Sequence, residues 1–219
     1  MTTDWGQVAL HAQVYVEANA WESAEGFILP YITRVWDQEQ LPIQCVETAA
    51  MLVLVWRRLG KLDPAEEGTV KVRRAVIDKE PVSPGARIAV ALCLAAEEFA
   101  RGRYGSTEDY LRVADEIKKG QVSAWAVCRR ELLWARLHLF RNELATSEDR
   151  ALNAARYAVE AHNDGQLGDA YVVLAIVGRR RGRLRESIAL FEKARSSYLR
   201  IGDSGATTVV ALNLGSSHA

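Results

Sequence analysis

Residues 172–198 read VVLAIVGRRRGRLRESIALFEKARSSY. An apolar helical run reaches Gly182, and a second helical run follows at once. Glycine is the residue that most easily takes the left-handed geometry that ends a helix. The stretch therefore predicts a helical hairpin with its turn at Gly182.

Working outward, turn residues of the same kind stand at Asn19, Gly60, Gly102 and Asn142, and the steps from 19 to 182 are 41, 42, 40 and 40 residues. A period of this size is the mark of a repeat array. The flanks agree with it. Seven residues before the turns stand Ala12, Val53, Ala95, Ala135 and Ala175, and five after them Ala24, Ala65, Thr107, Ser147 and Ser187. Helices approach closely only where side chains are small, so these two columns predict the crossing inside each hairpin. Eight before the turns run His11, Leu52, Leu94, Trp134 and Leu174, and twelve after them Tyr31, Val72, Ala114, Ala154 and Ala194, the columns expected to pack against neighbouring hairpins.

Helix starts are expected at two capping signals: Asp63 with Pro64 and Glu66 in LDPAEEG, and Thr146 before Asp149 in ATSEDRAL. In RIGDSGA one helix is expected to stop at Gly202 and the next to start at Asp203. The predicted fold is all-α, with hairpins over about 4–38, 42–79, 84–119, 121–163 and 166–201 and a last helix over 203–216, in one domain of 219 residues.

The residues Tyr171, Leu174, Ala175, Gly182, Phe191 and Ala194 make this hairpin resemble a tetratricopeptide repeat. The period near forty and the GDSGA link are more similar to the longer variety found in bacterial regulators. The resemblance extends over the whole chain, loosest in the first hairpin, where His11 replaces an apolar residue and Pro30 falls inside the second helix. It implies a right-handed α-solenoid whose first helices line a concave groove for peptides or partner helices. Carried onto this register, the groove takes Glu47, Leu54 and Arg57; Leu92, Ala96 and Phe99; Arg129, Leu132, Arg136 and Leu139; and Asp169, Val172, Ile176 and Arg179. Arginines set among leucine and phenylalanine suit an acidic amphipathic partner. The residues expected to bind it are Arg57, Phe99, Arg129, Leu132, Arg136, Leu139 and Arg179. Positions that hold asparagine or lysine in carboxylate-clamping repeats carry Gln13, Leu54, Ala96, Arg136 and Ile176, so a chaperone co-factor of that type is not expected.

The last helix carries Val209, Val210, Leu212 and Leu214, where a capping helix should be polar outside. The chain is accordingly expected to be a piece of a longer protein, with a helix that caps the array as the alternative; the rival reading of function is a stand-alone scaffold that pairs two copies through this helix.

Chemistry is hard to find in the sequence. None of the four histidines makes a zinc-protease pair, no strand precedes the glycines of GRRRGRLR, and Glu97–Glu98 reads as a solvated helix face. His11 and His138 fall on packing columns and are expected to be partly buried. Cys45, Cys93 and Cys128 each sit among apolar residues, as buried thiols in a reducing compartment do. Trp56 and Trp134 fall at packing positions, and Trp5, Trp21 and Trp36 are expected to seal the N-terminal end. The run Arg179, Arg180, Arg181, Arg183 and Arg185 sits at a helix C-terminus, where cations are favoured, with Glu186 and Glu192 near. Lysine plus arginine and aspartate plus glutamate both number 28, which argues against a dedicated nucleic-acid binder, although that arginine run keeps the alternative open. No run of residues is long and apolar enough for a membrane helix. The expectation is a cytoplasmic, non-catalytic interaction or sensing module without cofactor or metal, akin to the regulatory regions of bacterial regulators.

Overall fold

A computed structural model of the chain describes residues 3–38, 41–76 and 83–218, and at 119 and 216–218 the backbone alone. The described residues form the helices α1 (Trp5–Glu17), α2 (Trp21–Trp36), α3 (Val46–Arg58), α4 (Leu62–Val76), α5 (Pro84–Ala100) and α6 (Tyr104–Asp115). They continue with α7 (Ala124–Phe140), α8 (Leu144–Glu160), α9 (Asp164–Arg180), α10 (Leu184–Arg200) and α11 (Ser204–His218). Short 3-10 turns lie at Ile43–Cys45 and Lys119–Gln121, and the described residues hold no strand. Residues 77–79, expected to end the second hairpin, lie outside the described residues. The fold is all-α, of the solenoid kind built from tandem antiparallel hairpins. Two compact units divide it: Met1–Val122, with α1–α6, and Ser123–Ala219, with α7–α11.

All five hairpin turns are built alike. Asn19, Gly60, Gly102, Asn142 and Gly182 have φ of 57°, 73°, 72°, 62° and 74°, the left-handed region expected of them. The residue after each turn donates its N–H to a carbonyl five residues back: Ala20 to Tyr15, Lys61 to Trp56, Arg103 to Glu98, Glu143 to His138 and Arg183 to Gly178, at 2.8–2.9 Å. This is the Schellman closure, which satisfies carbonyls that a helix end would otherwise leave unpaired. The second helix then opens two residues past the turn.

That geometry corrects the expected caps. Asp63 lies inside the first turn of α4, which starts at Leu62, and Thr146 lies inside α8, which starts at Leu144. Second helices α2, α6, α8 and α10 have no side-chain cap, because the preceding Schellman turn already fixes the entry of the chain. Four of the five helices that open a hairpin behave differently, α3 being without a side-chain cap. Asp4, Ser83, Ser123 and Asn163 accept from the N–H three residues on, at 3.2, 3.0, 3.4 and 2.7 Å. Asp203 does the same for α11 at 2.8 Å, as expected of GDSGA. Links between hairpins also use left-handed residues: Gly202, and His162 at φ 50°, which no sequence signal marked.

Both crossing columns are fully buried in all five hairpins, from Ala12 and Ala24 to Ala175 and Ser187. In the buried column five after the turn, Ser147 Oγ uses the closeness to donate to the Ala135 carbonyl on the facing helix at 2.8 Å. Pro30 sits inside α2, which continues to Trp36. His11 departs from its expected burial: it is exposed, edge-on to Phe27 at 6.1 Å. His138 keeps to it, stacked on Trp134 at 5.4 Å with Nδ1 2.5 Å from Glu143.

Candidate functional site

In the first unit, Arg57 lies in the last turn of α3 and pairs with Glu97 of α5. Burial pulls the pKa of its guanidinium down from the ordinary arginine value. Phe99 lies edge-on to Tyr104 at 5.6 Å, half-buried. Glu47, at the start of α3, accepts from Ser83 Oγ at 3.3 Å, and burial raises its pKa.

The largest departure from the sequence reading is next to Arg57. Glu97 and Glu98, taken as a solvated face, are almost wholly buried. Glu97 pairs with Arg57 and, at 2.5 Å, with Arg101, which also reaches Glu66 at 2.5 Å. Glu98 pairs with Arg73 of α4 and, at 2.5 Å, with Arg103 beyond the turn. Burial alone would raise the pKa of Glu98, but Arg73 and Arg103 outweigh it and hold the carboxyl below the usual range. The register could have revealed this. Glu97 and Glu98 stand five and four residues before Gly102, in columns that hold Val55 and Trp56, or Leu137 and His138, in other hairpins. A charge in a packing column needs partners, and arginines from α3 and α4 supply them.

In the second unit, the other five candidates lie on the first helices α7 and α9. Arg136 lies 3.6 Å from Asp169 on α9. Asp169 is buried and accepts from Tyr198 Oη at 2.7 Å, which ties α7, α9 and α10 together. Gly168 makes this possible, since a Cβ there would come within 2.7 Å of the Tyr198 ring. Arg129 and Arg136 are half-buried, as are Val172, Ile176 and Arg179, and Arg179 lies 5.8 Å from the Phe191 ring centre. Leu132 and Leu139 correct the expectation. Leu132 is 1 % exposed, and Leu139 is buried in a core cluster with Ala135, Ala151, Val173, Leu174 and Val177. Both leucines are buried and offer no atoms to a partner.

Most of the arginine run is engaged within the protein. Arg180 donates to the Leu139 carbonyl at 2.7 Å, Arg181 pairs with Glu148, and Arg183 reaches Glu148 at 2.6 Å and Glu186 at 3.3 Å. Arg185 is exposed. Cys45, Cys93 and Cys128 are free and buried, and burial pushes the Cys45 thiol up to about 11. Trp56 and Trp134 are buried, while Trp5, Trp21 and Trp36 are half-buried, Trp36 edge-on to Trp56 at 5.5 Å. Among the described residues no group of three or more His, Cys, Asp or Glu could hold a metal ion, and no helix is long and apolar enough to cross a membrane. An open depression of about 450 Å³ over α9 and α10 is lined by Leu167, Tyr171, Glu192, Lys193 and Arg200 among others. Asp164 already holds Arg200 there, at 2.6 and 2.8 Å.

No family model matches the chain, and no curated protein matches it in sequence. Solved structures do. BtubC (BKLC) from P. vanneervenii superposes with a TM-score of 0.54 at 13 % identity, covering 99 % of this chain and 92 % of that one. PilW, described as a widely conserved type IV pilus biogenesis factor, gives a TM-score of 0.52 at 12 % identity, covering 99 % and 94 %. At such identities the likeness is one of fold, and it places the chain among helical-repeat proteins.

Proposed function

We propose that the chain is a non-catalytic protein-interaction scaffold of the tetratricopeptide kind, in the variety with a period near forty residues. Its partner surface is the face of α7 and α9 that carries Arg129, Arg136 and Arg179 beside Val172 and Ile176. The observation that carries this reading is the mixture itself: half-buried arginines and half-buried aliphatic side chains lie along the same two helices. An acidic amphipathic segment matches both chemistries, with carboxylates to the arginines and an apolar edge to Val172 and Ile176. In the first unit Arg57 is taken up by Glu97, so the second unit carries the surface. We place the module in the cytoplasm, as the sensing or regulatory region of a bacterial signalling or transcription regulator. Its resemblance to such regions and its buried free thiols support that placement.

A nucleic-acid reading through the arginine run draws less support, because Arg180, Arg181 and Arg183 are occupied by Leu139, Glu148 and Glu186. The test is recovery of partners from native lysate with the parent chain and with Arg129→Glu/Arg136→Glu. A protein retained by the parent and lost by a variant of unchanged helicity supports the face. Equal recovery by both, or partners removed by nuclease, sinks it.

A further inference from the structure

Helix α11 keeps the register of α7 and α9, and that register places its exposed side chains. Val209 stands forty residues after Asp169 and eighty after Arg129. Leu212 stands forty after Val172 and eighty after Leu132. Both are therefore in columns of the partner surface proposed for α7 and α9. Packing fixes how α11 is turned: Val210 and Leu214 lie in the cluster of Ala175, Phe191, Ala194 and Tyr198, against which Val172 and Ile176 also pack. Val209 and Leu212 are left 54 % and 71 % exposed. Val172 and Ile176 stay half-buried although α11 follows them, so the columns are open on α9 as well.

The chemistry changes from helix to helix. On α7 the columns hold Arg129, Leu132 and Arg136, at the spacing of one helix face. Leu132 is buried and both arginines are half-buried. Arg136 has Asp169 at 3.6 Å, yet its side chain is still 36 % exposed. On α9 the columns hold Asp169, buried and bonded to Tyr198 Oη, and then Val172 and Ile176. Helix α11 holds no Asp, Glu, Lys or Arg over its 15 residues. Because α9 shares one cluster with α7 and the next with α11, it stands between them. Cationic surface lies on one side of α9 and open aliphatic surface on the other.

Resting on the reading of α7 and α9 as a partner surface, we infer that the partner is a bipartite segment, with carboxylates over α7 and aliphatic side chains over α11. Its two chemistries are separated along the segment, not across it. Carboxylates match Arg129 and Arg136, since guanidinium binds them in a two-pronged fashion. Carboxylates over Val209 and Leu212 would meet no cation on α11, whereas aliphatic groups there remove apolar surface from water. Packed helices lie roughly 8–10 Å apart, so the two steps from α7 to α11 span about 20 Å. An extended chain covers that distance in about six residues.

Three labelled nonapeptides of one composition test this by fluorescence polarisation with the 219-residue chain, up to about 1 mM. One carries three glutamates, three serines and three leucines in that order, one the reverse order, and one alternates them. Blocks of three put two like side chains on the same side of an extended chain. One of the two block peptides, chosen by chain direction, is expected to bind about tenfold tighter than the alternating peptide. Arg129→Glu/Arg136→Glu should weaken that binding about tenfold or more and remove its loss with salt. Val209→Ser/Leu212→Ser should weaken it about tenfold and leave the salt dependence as it was. Circular dichroism checks helicity, and Val209→Ala/Leu212→Ala replaces the serine pair if helicity falls. Equal binding of all three peptides, or of none, overturns the inference. If the arginine pair matters and the α11 pair does not, the inference fails while the surface on α7 and α9 stands; if neither matters, both fall. A parent mass above 24.3 kDa that returns to monomer in Val209→Ser/Leu212→Ser means that a second copy covers α11, which also overturns it.

Discussion

The third and fifth hairpins have the same turn geometry and equally buried crossings, yet they are held by different forces. In the fifth, the columns four and five residues before the turn are Gly178 and Val177, and α9 lies on apolar neighbours. In the third, the same columns are Glu98 and Glu97, and four arginines converge on them. One backbone plan accepts either filling. The difference lies in what failure costs: an apolar column tolerates small changes, whereas a buried carboxylate depends on every partner.

The largest expected effect follows from that dependence. Arg73→Met with Arg103→Met leaves the buried Glu98 carboxylate without either partner and should destabilise the first unit by about 3 kcal/mol or more, read from a denaturant midpoint. An unchanged midpoint would mean that the pairs are solvated. Ala135→Leu attacks the other kind of packing: extra bulk at a fully buried crossing should cost the second unit about 1–3 kcal/mol. If thermal unfolding of this variant matches the parent, the column is looser than its burial implies. Tyr198→Phe removes the hydrogen bond to buried Asp169 and should cost about 1 kcal/mol. Because Asp169 also faces Arg136, the double variant with Arg136→Ala should be non-additive, and strict additivity would show the two contacts to be independent.

The smallest effect is at Asp164, whose carboxyl the Arg200 guanidinium holds below the ordinary aspartate value. A carboxyl depressed in the folded state stabilises above its unfolded pKa of about 3.9, and the gain is lost as pH falls through the folded value. Both side chains are partly in solvent, so Asp164→Asn should cost only about 0.5 kcal/mol at neutral pH. The difference from the parent should vanish on acidification below that range. A difference that persists in strong acid would need another cause.

Turns and crossings were legible in the sequence because each steric demand narrows the residue types that meet it: asparagine or glycine for positive φ, and for close approach mostly alanine or serine, with Val53 and Thr107 as the larger exceptions. The buried glutamates were not, since a carboxylate reads as solvated unless its register is compared column by column with the other hairpins. Asp63 and Thr146 misled for a related reason, as good capping residues placed where a Schellman turn had already done the work. The candidate face was legible in its arginines and not in its leucines. Helical spacing gives the side of α7 on which Leu139 stands, but not that Val173 and Val177 of α9 come to cover it.

His162 and Gly202 stand forty residues apart, each left-handed and each followed by a capping residue, Asn163 and Asp203. Excising 163–202 would join His162 directly to Asp203, and the junction would still read as a left-handed residue followed by a cap. Inserting a further copy of that segment would be equally silent at the seam. Gains and losses of chain in this region can thus occur in whole hairpins without any new junction to solve, so the length of the array is quantised, and only a cut out of phase is felt as damage.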